Sequence, residues 1–233
     1  MKIKRLLATI LAFSFVMGTV VFAGTAVSRD KTFTVNGSTY KNNATVDAYP
    51  ALAQSTVWVS GNKTLPSGYF GVAAILMKDG NTEAINGFSY SDSATTGLGL
   101  ATKARTGVIG SNYYAYGRTE VFDGENYVQK STYNSPTQTV TSSSKVATAG
   151  ENGQIDIDAA IENNQMIPAT GVDGVKGFIY PSDCFTSDVK TPEEALAKQK
   201  QRGFDKKYIN LYASDGKTVI GKMEISYGEV LTK

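Results

Sequence analysis

Hydrophobic and polar residues alternate along much of the chain after residue 30, which is the pattern of strands with one buried face. Clear examples are KTFTVNG (31–37), STVWVS (55–60) and YYAYGRTEVF (113–122). Short groups of Gly, Asn, Asp and Ser separate these stretches, as expected of turns. The pattern therefore predicts a mainly β fold.

Four Asp-Gly pairs, each between two strand-like stretches, predict four β-hairpins. Gly adopts positive φ without steric cost and Asp tolerates it, so both suit the tight turns that join antiparallel strands. We therefore predict an antiparallel β-sandwich-like domain built from hairpins over residues 27–145. The pairs are Asp79-Gly80, Asp123-Gly124, Asp173-Gly174 and Asp215-Gly216.

The last third of the chain has a different pattern. Residues 137–155 lose their large apolar side chains, and we predict a linker at 146–155 followed by a small α+β module at 156–233. One helix is expected there, over 191–203. Thr191 is its N-cap, Pro192 suits the first helical position, Glu194 completes a capping box, and Gly203 ends it.

The N-terminus predicts export. Lys2, Lys4 and Arg5 precede an apolar run from Leu6 to Phe22, which is the pattern of a secretory signal peptide at 1–23. Cleavage is expected after Ala23, with cleavage after Ala26 as the alternative. The run is short for an uncleaved membrane anchor, since a bilayer span needs about 20 apolar residues.

The charge balance and the C-terminal sequence limit the kinds of partner and anchor that we expect. The chain has 23 Lys and Arg against 21 Asp and Glu, so removing the three basic residues of the signal leaves 20 against 21. No field remains that favours nucleic acid or an anionic membrane surface. The C-terminal YGEVLTK carries no hydrophobic tail, and Cys184 lies too far from the signal for lipidation. We expect a secreted, extracellular protein without a membrane anchor.

Four blocks of the C-terminal part stand out, and they are ENGQIDIDA (151–159), MIPATGVDGVKGFIY (166–180), KTPEEALAKQ (190–199) and LYASDGKTVIGKMEI (211–225). Together they resemble a module of uncharacterised secreted or surface-exposed Gram-positive (Firmicutes) proteins. The order TPEEA followed by DGKTVIG carries most of the resemblance. It implies export and a β-rich module, and it implies no reaction and no catalytic residues.

The chain contains no histidine and one cysteine, so a Ser-His-Asp triad, a Cys-His pair and His-containing zinc sites are all impossible. We expect no cofactor, no metal site, and an inert, partly buried Cys184. Carboxylate chemistry remains, because a glycosidase needs only two suitably spaced acids. Asp156 and Asp158 alternate onto one face of QIDIDAA, with Glu162 nearby. The interpretation we favour for these acids is a solvated strand face running into a short helix.

The hairpin at 113–133 holds the candidate binding residues. In its first strand Tyr114, Tyr116 and Arg118 share a face, because side chains alternate with period two. Pairing of Phe122 with Tyr127 across the turn would bring Tyr127 and Tyr133 to the same face. Such a surface suits sugars or a protein partner. The alternative is that these aromatics only pack the sheet.

The sequence therefore predicts a secreted, non-enzymatic binding module at the cell envelope, with cell-wall glycan or an extracellular protein as its ligand. The site residues would be Tyr114, Tyr116, Arg118, Tyr127 and Tyr133. The alternatives are a bacteriocin-like or toxin-like antagonist and a carboxylate-dependent glycan hydrolase using Asp156 and Asp158.

Overall fold

A computed structural model describes residues 25–61, 63–142, 145–148, 153–185 and 187–232. The predicted signal peptide lies outside these residues. Within them there are sixteen strands and three helices, in the following order. They are β1 (Thr25–Val27), β2 (Lys31–Val35), β3 (Ser38–Ala48), β4 (Ala51–Val59), β5 (Phe70–Lys78), β6 (Asn81–Tyr90), β7 (Gly97–Ala101), β8 (Asn112–Phe122), β9 (Tyr127–Ser131), β10 (Gln138–Ser142), β11 (Lys145–Thr148), α1 (Ile157–Glu162), β12 (Ile167–Thr170), β13 (Lys176–Ile179), α2 (Pro181–Phe185), α3 (Pro192–Arg202), β14 (Lys207–Tyr212), β15 (Val219–Ser226) and β16 (Leu231–Thr232).

The strands form two sheets. The smaller sheet contains β1 to β4, β7 and β16, and the larger sheet contains the other ten strands. Strands β3 and β4 of the smaller sheet pack against β5 and β8 of the larger one, which is the arrangement of a sandwich. The prediction of a mainly β, mostly antiparallel fold is confirmed.

All four predicted hairpins form, as β5–β6, β8–β9, β12–β13 and β14–β15. In the first, Lys78 pairs with Asn81, and the two turn residues Asp79 and Gly80 have φ of 49° and 76°. Positive φ at both central positions matches the right-handed twist of the flanking strands. In the other three turns only the Gly has positive φ. The Asp side chain there accepts a backbone N–H two residues later in the turn, which is a second reason why Asp suits these positions.

The larger sheet is covered on both faces around β8. Tyr113 and Ala115 belong to the core between the two sheets, together with Leu76 of β5. Tyr114 and Tyr116 point the other way and belong to a second core, which the three helices and the C-terminal strands complete. Every position from Tyr113 to Gly117 is consequently buried.

The C-terminal strands continue the two sheets. Strands β12 and β15 each pair in parallel with β6, and β16 pairs with β7 of the smaller sheet. Backbone hydrogen bonds therefore join strands that precede the predicted linker to strands that follow it. The division into two domains stays a prediction. Residues 145–148 form β11, paired with β10, where we expected a linker to begin at 146. The β-branched residues of 137–142 suit a strand.

The helix expected at 191–203 is confirmed as α3. The hydroxyl of Thr191 accepts the backbone N–H of Glu194 at 3.3 Å, and the helix ends at Gly203 with φ of 58°. The expectation of a single helix is wrong, because α1 and α2 also form. Both span only a few residues, too few for an apolar period to show. Asp156 caps α1, and Pro181 opens α2.

Candidate functional site

Two of the five candidate residues lie in the core. Tyr114 is 3% exposed and Tyr116 is 2% exposed, so the expectation that they form a surface is wrong. Their hydroxyl groups bond to the segment that covers them. The Tyr114 hydroxyl accepts the backbone N–H of Ile155 at 3.1 Å, and the Tyr116 hydroxyl donates to Asp158 at 2.8 Å. These tyrosines attach α1 to the sheet.

Arg118 and Tyr127 also contribute mainly to packing. The Arg118 guanidinium donates to Gln129 at 3.0 Å and lies 5.6 Å from the centre of the Phe185 ring. The Tyr127 hydroxyl donates to the carbonyl of Gly68 at 2.6 Å.

Cys184 is 5% exposed. Burial is the main cause that raises the pKa of its thiol, and the negative charge of Asp183 raises it further. Both effects agree with the expectation of an inert thiol.

A buried carboxylate lies beside these residues. Glu120 is 1% exposed, and its two oxygens accept hydrogen bonds from Tyr90 and Gln129, each at 2.6 Å. The Tyr90 hydroxyl also lies 2.8 Å from Ser187. Desolvation raises the pKa of Glu120, although these hydrogen bonds and the positive charge of Arg118 act in the opposite direction. Glu120 and Tyr90 belong to the buried core, and Gln129 and Ser187 at the edge of the cluster are half-buried.

We expect Glu120 to make the stability of the fold pH-dependent. A carboxyl whose pKa is raised by folding stabilises the folded state below its unfolded pKa, about 4.3, and that contribution is lost as pH rises through the folded pKa. In Glu120→Gln the group no longer titrates. The variant should therefore gain stability relative to the parent as pH rises from 4 to about 8. Urea unfolding of both proteins across this range checks the sign, and a difference that shrinks with rising pH would contradict it.

Tyr133 has a different environment. Strand β9 ends at Ser131, so Tyr133 lies beyond the paired strands and the expected aromatic face does not extend to it. The Tyr133 ring instead borders a surface groove of about 350 Å³, which we call the Tyr133 groove. Its charged and amide lining residues are Lys31, Asn134, Gln154, Asp156 and Asp158.

Hydrogen bonds hold the Asp158 carboxylate in this groove. One oxygen accepts the Tyr116 hydroxyl, and the other accepts the Ser131 hydroxyl and lies 3.7 Å from the ammonium of Lys31. The Asp158 side chain still keeps 41% of its surface exposed. Its position is thus fixed by the core beneath it, while part of it remains available to a ligand.

Asp156 has a separate role in the same groove. One of its oxygens accepts the backbone N–H of Ala159 at 2.9 Å, which caps α1. The sequence suggested that the two acids lie side by side on a strand face, and the structure shows a different arrangement. One caps the helix, and the other lies in its first turn.

Two basic side chains lie close to the Tyr133 ring. The guanidinium of Arg29 lies 4.2 Å from the ring centre, and the ammonium of Lys31 lies 5.4 Å from it. These distances fall within the range of cation–π attraction. The start of β2 and the segment after β9 thus meet at this ring, and the start of α1 lines the same groove.

Sequence reasoning singled out Tyr133, Asp156 and Asp158 separately but did not bring them together. It missed the Lys31, Asn134 and Gln154 side chains, because no local pattern marks them. The amide of Gln154 donates to the carbonyl of Ser135 at 2.7 Å, and that of Asn134 donates to the carbonyl of Ile155 at 3.2 Å. These two bonds join the walls of the groove.

Among the described residues there is no cluster of three His, Cys, Asp or Glu side chains able to hold a metal ion. The helices in this part of the chain are too short or too polar to cross a bilayer. The chain was compared with protein-family models, curated proteins and solved structures, and none of the three comparisons gives a match.

Proposed function

We propose that this protein is exported from the cell and binds a glycan of the cell envelope in the Tyr133 groove, without hydrolysing it. The observation that carries the proposal is the side-chain chemistry gathered there. An aromatic ring, two carboxylates, two amides and one ammonium line a groove of about 350 Å³, a volume at the low end for ligand sites.

Each lining group has a use in holding a sugar. Apolar C–H faces of a sugar ring stack on an aromatic ring, which supplies apolar contact area at low conformational cost. Sugar hydroxyls both donate and accept, so carboxylates accept from them and amides do both. Asp158 is already oriented by Tyr116 and Ser131, which reduces the ordering that binding would require.

If the protein is exported, the position of β1 favours cleavage after Ala23 over cleavage after Ala26. Thr25 begins β1 and pairs with Asp47, and Ala26 is 7% exposed within the core between the sheets. Cleavage after Ala23 leaves this strand whole, whereas cleavage after Ala26 would remove two of its three residues. The mass of the protein recovered from the culture medium distinguishes the two sites.

Binding is tested by retention of mature protein, residues 24–233, on insoluble polysaccharides. Suitable probes are purified Gram-positive cell walls, chitin and cellulose. We expect the parent to be retained on at least one of them and Tyr133→Ala to lose at least tenfold in affinity, about 1.4 kcal/mol. Tyr208→Ala is the matched control, because Tyr208 is 51% exposed on β14 and does not line the groove.

Glycan hydrolysis is the second candidate function, because both aspartates line the same groove. The same experiment separates binding from hydrolysis. Binding alone leaves the polysaccharide intact. Release of soluble fragments by the parent, lost in Asp158→Asn, would instead indicate hydrolysis. If the parent is retained on none of the polysaccharides, or if Tyr133→Ala binds as well as the parent, the Tyr133 groove is not a glycan site.

A further inference from the structure

A second groove lies at the C-terminal end of α3. It has a volume of about 440 Å³, and the turn after the helix borders it on one side while residues 228–230 border it on the other. We call it the Phe204 groove, because the Phe204 side chain is 65% exposed there. Phe204 stacks on no other aromatic ring in the described part of the chain. A large exposed aromatic side chain at a concave surface is typical of a contact site for a ligand.

Both walls of this groove are held in place by the core. On the helix side, the Gln199 amide bonds to both backbone groups of Tyr90, at 2.7 and 3.0 Å. The Arg202 guanidinium lies 3.5 Å from the centre of the Tyr227 ring. On the opposite side, the backbone N–H of Gly228 donates to Asn86 at 3.1 Å. A groove with fixed walls is preorganised, so little entropy is lost when a ligand enters.

The charged groups at the rim are available to a ligand. Lys200 and Glu229 line the groove, are exposed, and form no ion pair or side-chain hydrogen bond within the described residues. Asp92 is exposed as well, and its only side-chain partner there is the neighbouring Ser93. With Arg202 the lining carries two positive and two negative charges. This balance favours a neutral, hydroxyl-rich ligand over an ion.

We propose that the Phe204 groove binds a second segment of the same uncharged glycan chain, with a sugar ring stacked on Phe204 and hydroxyls bonded to Asp92, Lys200 and Glu229. The inference rests on the proposed function of the Tyr133 groove. When one polymer reaches both grooves, its second contact is intramolecular, and the overall affinity then exceeds that of a single site by about 10² to 10⁴.

The test compares a polymer with a short fragment of it. The probes are the insoluble polysaccharide that retains the parent and a soluble oligosaccharide prepared from it. For Phe204→Ala we expect at least a tenfold loss of affinity for the polymer. Ile109→Ala should bind the polymer like the parent, because Ile109 is equally exposed, at 64%, and lies in the segment before β8. Titrating Tyr133→Ala with the oligosaccharide should leave a second, weaker site that disappears in the Tyr133→Ala/Phe204→Ala double variant.

The outcomes separate the two proposals. If Tyr133→Ala loses binding while Phe204→Ala binds the polymer like the parent, the Phe204 groove is not a glycan site and the proposed function stands. If Phe204→Ala loses binding and Tyr133→Ala does not, the Phe204 groove is confirmed and the Tyr133 groove is wrong. Failure of the parent to bind any polysaccharide overturns both.

Discussion

Replacing Tyr116 by Ala should lower the free energy of unfolding by about 3–5 kcal/mol, as expected when a large buried aromatic side chain is truncated. Tyr116 is 2% exposed, and its ring packs 5.8 Å from that of Phe185 in the core beneath the helices. Typical domains are stable by about 5–15 kcal/mol in total, so the loss is a large share of what holds the fold together. Urea unfolding monitored by circular dichroism measures it.

Two control variants distinguish the contribution of the Tyr116 ring from that of its hydroxyl, and the effect of a core substitution from that of a surface one. Tyr116→Phe keeps the ring and loses only the hydrogen bond to Asp158, so we expect a loss of about 1 kcal/mol. Tyr133→Ala, at the edge of the groove, should also cost far less than Tyr116→Ala. If Tyr116→Ala unfolds at the same urea concentration as the parent, the tyrosine is not a core residue and β8 is not covered on this side.

The features that the sequence predicts well are local. The Asp79-Gly80 turn depends on two neighbouring residues, and the start of α3 depends on Thr191 and Glu194. In these cases the chemistry that selects the structure lies within a few residues, and a single sequence displays it. The hairpin pairing of Phe122 with Tyr127 follows from the turn between them in the same way, and the structure contains it.

The burial of β8 could not be predicted in this way. Two charged residues, Arg118 and Glu120, lie between aromatic ones along its face, as in a strand exposed to solvent. In the structure Arg118 and Glu120 instead bond to Gln129 and Tyr90, so the charges are accommodated inside. The segment that covers this face, including α1 and α2, comes later in the chain. Only the tertiary fold shows that it returns there.

The groove at the candidate site could not be predicted from the sequence either, because segments far apart in the chain form it. Lys31 lies on β2 and Asp158 on α1, and their side chains meet 3.7 Å apart because both segments pack beside Ser131. Spacing along the chain gives no signal of that contact. The sequence could mark Asp158 and Tyr133 as residues with useful chemistry, but the groove that joins them depends on how the two sheets and α1 assemble.

A close approach of the two sheets leads to the second large effect. Gly117 of β8 faces Ser55 of β4, and a Cβ atom added at Gly117 would lie 2.5 Å from the Ser55 Cβ. Non-bonded carbon atoms do not approach that closely, so Gly117→Ala must push the sheets apart or shift a strand. We expect it to lower the free energy of unfolding by about 1–3 kcal/mol, the usual cost of overpacking a core.

A compensating change on the opposite sheet should recover much of this loss. Ser55→Gly removes the Cβ and hydroxyl that the methyl group added at position 117 would meet, and alone it should cost about 0.5–1 kcal/mol, since glycine weakens a strand. Because the Ser55 hydroxyl is buried without a hydrogen-bond partner, its removal adds little to that cost. The double variant should then be more stable than the sum of the two single losses predicts, by about 0.5–3 kcal/mol. Urea unfolding of the four proteins gives this coupling energy. Strict additivity would mean that β4 and β8 do not meet at these two residues, and that the sandwich packs in a different register.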